Sequence, residues 1–278
     1  MKTQKILVLG ANGKTGSRVI ERLQNNKNVE IKIGSRTAKT PFNWENPETW
    51  NAVLTGTDAV YITFQPDLAV PSAVEIIHKF TVLASKLGVQ KMVLLSGRGE
   101  KEAQVCEEIV KNTAKNWTIV RASWFNQNFS ESFFLDPILA GFVALPRAEA
   151  LEPFTDVNDI ADVVTECLLQ DKHNGQTYEL TGPELLTFPE AVAKIAAASN
   201  KKIEFQALSL EEYTQMLKEY QVPEDHIWLI NYLFEQVLDG RNSSVTNDIE
   251  KVLGRKATDF STYAEKAAKT GIWNAVNV

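Results

Sequence analysis

Glycines at 10, 13 and 16, set between a short apolar run and an amphipathic stretch, constrain this chain most. Ile6 to Leu9 before them is continuously apolar, the pattern of a strand buried on both faces. Ser17 to Leu23 after them has helical periodicity. In a strand–loop–helix of this kind Gly10 permits the tight turn, and Gly13 lets backbone approach a phosphate with no Cβ in the way. Gly16 lets the helix lie close to the sheet, so that its free N–H groups and positive dipole end face a pyrophosphate. With Asn12, Lys14 and Thr15 of the same loop, these glycines are the expected dinucleotide-binding residues. Glycine triplets also occur in plain strand–helix turns, and here the flanking strand and helix favour the dinucleotide.

Val29 to Gly34 reads as the second strand. Where an NAD-preferring site ends that strand with Asp or Glu, to accept from the ribose 2′-OH, this chain has Ser35-Arg36. A carboxylate would repel a 2′-phosphate, whereas a hydroxyl and a guanidinium bind it through charge-assisted bonds. Lys14 adds a second cation. These residues predict NADP(H) over NAD(H), against the plainer reading of Arg36 as a solvated surface cation.

Phe42-Asn43-Trp44 is expected as a short third strand whose loop faces the adenine, with Trp44 as ordinary core weighed equally. Asn46-Pro47 starts a helix to about Leu54, closed by Gly56. Asp58 to Phe64 is the fourth strand, and its end, Thr63-Phe64-Gln65, falls at the carboxyl edge where open α/β sheets bind ligands. A helix over Val70 to Leu87, a strand over Lys91 to Ser96, a helix over Lys101 to Lys115 and a strand over Trp117 to Arg121 follow. The unbroken alternation predicts an α/β fold, a Rossmann-like doubly wound parallel sheet covered on both faces.

Beyond Arg121 the rhythm changes. Trp124, Phe125, Asn126 and Asn128 mix aromatic and amide side chains, which suits a wall that stacks a flat substrate and orients its polar edge, and equally suits packing. Later helices are expected from Thr155–Asp159, from the Thr187/Glu190 capping box, from Ser209 and after Pro223, with strands at Gln176 to Thr181 and Ile203 to Leu208. The expected domains are 1–150, an NAD(P)-binding Rossmann domain with its core in 1–121, and 151–278, a smaller C-terminal α/β substrate lobe interleaved with the first.

A net charge of −6 without a basic stripe argues against a nucleic-acid or anionic-membrane partner. No apolar run approaches the ~20 residues of a membrane span. The first strand follows the N-terminus directly, which is read as no leader and a cytoplasmic location. Cys106 and Cys167 lie in separate helical patterns and are expected as buried thiols. His78, His173 and His226 lack ligand spacing, so no metal site is expected.

These residues together resemble the atypical short-chain dehydrogenase/reductases of the NmrA-like group. The resemblance spans nearly the whole chain. It rests on the Gly10-Ala11-Asn12-Gly13-Lys14-Thr15-Gly16 loop, on Gly34-Ser35-Arg36, on the strand from Thr57-Asp58, and on Trp117 to Arg121 followed by Trp124-Phe125-Asn126-Gln127-Asn128-Phe129. Asp156-Val157-Asn158-Asp159-Ile160-Ala161 is a further match. Within the group the chain is most similar to the ergot-alkaloid reductases of the festuclavine and agroclavine dehydrogenase type. The resemblance implies NADP(H) held by Gly10 to Gly16, Ser35-Arg36, Thr63-Phe64-Gln65 and the Ser96 loop, with substrate between the nicotinamide and the C-terminal lobe.

One departure matters. Short-chain dehydrogenases generally carry a Tyr-x-x-x-Lys pair, the Tyr transferring a proton and the Lys lowering its pKa. Counting back from Trp117-Thr118 puts those positions at Gly99 and Ala103, and no such pair occurs elsewhere in the chain. The expected activity is therefore NADPH-dependent hydride transfer to an electron-poor conjugated acceptor, such as a quinone, an azo or triphenylmethane dye, or an iminium. No catalytic residue is assigned, and Ser96 is the one hydroxyl expected near the nicotinamide. The alternatives are an NADP(H)-binding redox sensor that signals through a protein partner, and an isomerase or lyase on the same fold. A homodimer is left open.

Overall fold

The computed structural model describes residues 3–274. Strands Gln4–Leu9 (β1), Val29–Gly34 (β2), Ala59–Ile62 (β3), Lys91–Gly97 (β4) and Asn116–Ala122 (β5) alternate with helices Lys14–Leu23 (α1), Trp50–Leu54 (α2), Ala73–Lys86 (α3) and Lys101–Thr113 (α4). The later chain forms Leu135–Ala140 (α5), Phe142–Leu145 (β6), Val157–Leu169 (α6), Gln176–Leu180 (β7), Phe188–Ser199 (α7) and Glu204–Ala207 (β8). Four further helices follow: Leu210–Glu219 (α8), Glu224–Tyr232 (α9), Asp248–Leu253 (α10) and Phe260–Lys269 (α11).

The chain divides into two compact units that interleave along the sequence. One takes the chain up to Ala122, then Val157–Leu180 and Asp248–Arg255; the other takes Ser123–Asp156, Thr181–Asn247 and the chain from Lys256. The chain passes between the units after Ala122, Asp156, Leu180, Asn247 and Arg255.

The first unit is the doubly wound sheet. Six strands pair in parallel in the order β2-β1-β3-β4-β5-β7. Ile6 to Leu9 and Ala59 to Ile62 have no exposed surface, as strands covered on both faces must. Helix α1 packs with α6 and α3 with α4. Arg22 on α1 pairs with Asp162 on α6, and Arg255, just past α10, reaches both Asp159 and Asp162. Both cysteines are buried free thiols, and burial pushes each up to about 12.

The third strand expected at Phe42 to Trp44 does not form. Those residues are irregular, and Phe42 and Trp44 pack edge-on with Trp50 and Phe80 inside the core. Trp44 Nε1 donates to the Thr63 carbonyl (3.0 Å), so burial of two rings with a satisfied indole outweighs extended pairing. The core alternative for Trp44 holds. The strand expected over Asp58 to Phe64 is shorter, ending at Ile62. Asn46 caps a short 3-10 turn that leads into α2, and both capping boxes, Thr187 with Glu190 and Ser209 with Glu212, are formed.

The second unit contains the parallel pair β6-β8 and an aromatic core around Phe129, Phe134, Phe154, Phe188, Phe234 and Phe260. Trp273 Nε1 donates to the Phe129 carbonyl (2.8 Å) and the Tyr263 hydroxyl to Ser130 Oγ (2.8 Å). Among the described residues no helix is long and apolar enough to cross a membrane.

The contact that sets α1 against β1 is steric. A Cβ on Gly16 would lie 2.2 Å from the Gly10 oxygen and 2.7 Å from its carbonyl carbon, both backbone atoms that cannot swing away. Gly16→Ala is expected to destabilise the protein by about 1–3 kcal/mol in urea unfolding, the range for overpacking. A change within about 0.5 kcal/mol, typical of neutral surface sites, would contradict this packing.

Candidate active site

The carboxyl ends of β1, β2, β3 and β4 carry four loops of the first unit. At the first, Gly10 turns with φ +60°, and the place its Cβ would take is filled by Thr63 Oγ1, 2.3 Å away. Thr63 in turn donates to the Leu9 carbonyl (3.2 Å), which ties the end of β3 to the end of β1. The Gly13 amide closes on the Gly10 carbonyl at 2.8 Å, and Gly13 stands in extended backbone as the residue before α1. The following amides have no intrahelical acceptor, and the first turn contains no acidic residue to neutralise them. A Cβ on Gly13 would meet the Gly10 oxygen at 3.1 Å and Gln65 Nε2 at 3.9 Å. The Gly10 oxygen crowds that position from within the loop, and a group approaching the helix-start amides would crowd it from outside. That residue set fits a pyrophosphate.

The loop after β2 adds a hydroxyl and amide cluster. Ser35 Oγ lies 3.5 Å from Thr37 Oγ1, which also accepts from Asn12 Nδ2 at 3.4 Å. Arg36 is exposed beside it, and the Arg18 guanidinium donates to the Lys14 carbonyl (2.8 Å) at the start of α1. Thr37 and Arg18 were not among the expected residues, although the Ser-Arg-Thr run and the α1 periodicity place them in the sequence. No carboxylate occurs in residues 10–18 or 34–40, so the patch suits a phosphate better than a bare ribose hydroxyl.

The structure thus brings together Gly10, Asn12, Gly13, Lys14, Thr15, Gly16, Ser35, Arg36, Thr63 and Gln65. Phe64 lies at the same edge but turns its ring onto Trp44 (5.1 Å between centroids). Ser96 is on the neighbouring strand and buried, with its hydroxyl donating to Glu107 Oε1 at 2.7 Å. Arg121 grips the same carboxylate with two bonds (2.7 and 2.6 Å) and also reaches Glu179, to which Arg98 donates. Hydrogen bonds to Glu107 hold the Arg121 guanidinium even more firmly protonated than usual.

Two carboxyls unforeseen from the sequence lie on the loops after β3 and β4. Asp67 accepts from the Ala69 amide (2.9 Å) and shares a hydrogen bond with Glu100. Glu100 is only 7% exposed, and its Oε2 meets no partner among the described residues. Its carboxyl lies over Gly97, with three atoms 1.8–2.3 Å from where a Cβ on that glycine would be. Burial first, then the Asp67 charge, push Glu100 well above the usual carboxylate range.

The residues expected to face substrate belong to the second unit. Trp124 packs against Phe134, Phe188 and Phe234, and its amide donates to Glu152 Oε1 (3.0 Å). Asn126 is wholly buried, its amide N–H on the Thr155 carbonyl, while its side-chain nitrogen and oxygen meet no partner among the described residues. Phe125 and Asn128 are half-buried.

The raised Glu100 has a consequence for stability. Above the ordinary glutamate range the unfolded chain releases a proton that the folded chain keeps, so Glu100 lowers stability as pH rises toward its folded-state value. Glu100→Gln removes that loss. Its melting temperature relative to the parent should become more positive between about pH 5 and about pH 8; parallel curves across that range would contradict a protonated Glu100.

No family model matches the chain. Several curated proteins are similar to it over nearly their whole lengths. The chain is 25% identical to a prestalk A differentiation protein of Dictyostelium discoideum (94% of this chain, 91% of that one). It is 27% identical to an NAD(P)H azoreductase of Xenophilus azovorans (95% and 98%) and 28% identical to festuclavine synthase I of Penicillium roqueforti (94% and 97%). Among solved structures, the Citrobacter triphenylmethane reductase complexed with NADP(H) superimposes with a TM-score of 0.77 at 18% identity (95% and 99% covered). An Escherichia coli NADPH-dependent quinone oxidoreductase complexed with NADPH gives 0.79 at 17% (94% and 99%). The last two likenesses speak for the fold. Festuclavine and agroclavine dehydrogenases are among its relatives in sequence, in line with the resemblance to the NmrA-like atypical short-chain dehydrogenase/reductases.

Proposed function

We propose that this protein is an NAD(P)H-dependent reductase, preferring NADPH, that passes hydride to a flat, electron-poor acceptor such as a quinone, an azo or triphenylmethane dye, or an iminium. The observation that carries the reading is the glycine loop, in which Gly13, extended ahead of α1, puts no side chain in front of the helix-start amides. The α1 amides and dipole would hold the pyrophosphate, and Ser35, Thr37 and Arg36, with Lys14, the 2′-phosphate. When bound, the nicotinamide supplies the hydride. Trp124, Phe125, Asn126 and Asn128 are the residues we assign to the acceptor, aromatic faces for stacking and amides for its polar edge. Relatives named as an azoreductase and a festuclavine synthase support this class of acceptor.

A second reading, a redox sensor that binds NADP(H) without turnover, draws on the residues at the Tyr and Lys positions. Gly99 has no side chain, and Ala103 is buried in the core. The similarity to a differentiation protein supports it as well.

Turnover separates the two. Purified protein with NADPH or NADH and a panel of quinones, azo dyes and cyclic iminium compounds should oxidise the nicotinamide with saturation in acceptor, faster with NADPH. Tight NADPH binding without turnover across the panel would favour the sensor.

A further inference from the structure

The pair formed by Asp67 and Glu100 lies outside the residues assigned to the cofactor and acceptor. Resting on the reductase reading above, we propose that Glu100, with Asp67, is the proton donor for acceptors whose reduction requires a proton. It would take the place of the tyrosine that the chain lacks at the adjoining Gly99.

Position supports this first. Strands β3 and β4 are paired through Ile62 and Leu94, and β3 also pairs with β1, so the two carboxyl-bearing loops leave the same edge as the glycine loop. Sheet order reverses about β1 and β3, the place at which open α/β sheets bind ligands. Thr63, four residues before Asp67, already touches Gly10.

The local build supports it second. Glu100 precedes α4 but makes no capping bond to the helix amides. Its carboxyl folds back over Gly97 instead, and only the missing side chain at 97 gives it room. The pull of a helix start on an anion is smaller than the cost of burying an unpaired charge. Asp67, Glu102 and Glu107, all acidic, act on Glu100, and the Cys106 thiol lies within their field. The two carboxyls therefore keep one proton between them, held on Glu100, as coupled acids do.

The step balances. Hydride brings two electrons and one hydrogen to a quinone or azo acceptor and leaves an electron pair with negative charge on oxygen or nitrogen. The O–H bond of Glu100 breaks, an O–H or N–H bond forms on that atom, and two carboxylates remain until water returns one proton. A cationic triphenylmethane dye is neutralised by hydride alone and needs no such step.

Glu100→Gln keeps the shape and a hydrogen bond to Asp67 but has no proton to give. Three readouts test it: the infrared carbonyl band of a protonated carboxyl, NADPH affinity, and kcat at neutral pH with a neutral quinone and with the cationic dye. The band should be present in the parent and lost in the variant, with affinity unchanged. Loss of kcat should be at least about tenfold greater for the quinone than for the dye, a conservative share of the 10²–10⁴-fold range of acid–base catalysis. Gly97→Ala, which displaces the carboxyl, should reproduce that selective loss. Equal losses for both acceptors, no loss, or no change in the band would overturn the assignment while leaving the reductase reading standing. A parent that binds NADPH and reduces neither acceptor would overturn both.

Discussion

The close approach of α1 to the loop at the end of β1 is the constraint on which the rest of the sheet edge depends. With 2.2 Å between a hypothetical Gly16 Cβ and the Gly10 oxygen, only a glycine brings the helix start so near. Gly10, in left-handed backbone, gives up its Cβ space to Thr63, and Thr63 anchors β3 to the Leu9 carbonyl. Each hydrogen bond in this arrangement is worth about 1 kcal/mol, so its effect is chiefly geometric. It gathers helix-start amides, hydroxyls and cations at one edge, in a loop whose residues 10–18 include no carboxylate.

Two glutamates, one just before α4 and one midway along it, show how differently burial can be answered. Glu107, with no exposed surface, receives two bonds from Arg121 and one from Ser96, so its buried charge is compensated. Glu100 has a second carboxyl for a partner, and retains its proton. Ser96, the hydroxyl expected near the chemistry, spends its proton on Glu107. That leaves Glu100 as the acidic group at this edge with a proton to transfer.

Much of the fold was legible because its central strands are apolar on both faces and its helices begin at recognisable caps, as Ile6 to Leu9 and the Thr187/Glu190 box illustrate. The misread segment, Phe42 to Trp44, has strand-like composition but is drawn into the core by Trp50 and Phe80, contacts that only folding creates. Helix α5 has a proline within six residues and β6 begins with an exposed Phe142, so neither shows a clean period. Helix α11 had a readable signal, the Asp259 cap with Phe260, Tyr263 and Ala264 at helical spacing. The glycine loop and the Ser35-Arg36 edge could be read directly, because backbone freedom and charge are properties of single residues. The Asp67–Glu100 pair could not, since 33 positions separate residues that adjacent strands bring together.

Binding at the glycine loop is the most direct test. NADPH and NADH are titrated into the parent, Gly13→Val and Arg36→Ala, following nicotinamide fluorescence. The parent should bind NADPH more tightly than NADH, Gly13→Val should lose both, and Arg36→Ala should lose the preference while retaining NADH. A Gly13→Val protein that is folded and binds NADPH as tightly as the parent would contradict the loop as the cofactor cradle.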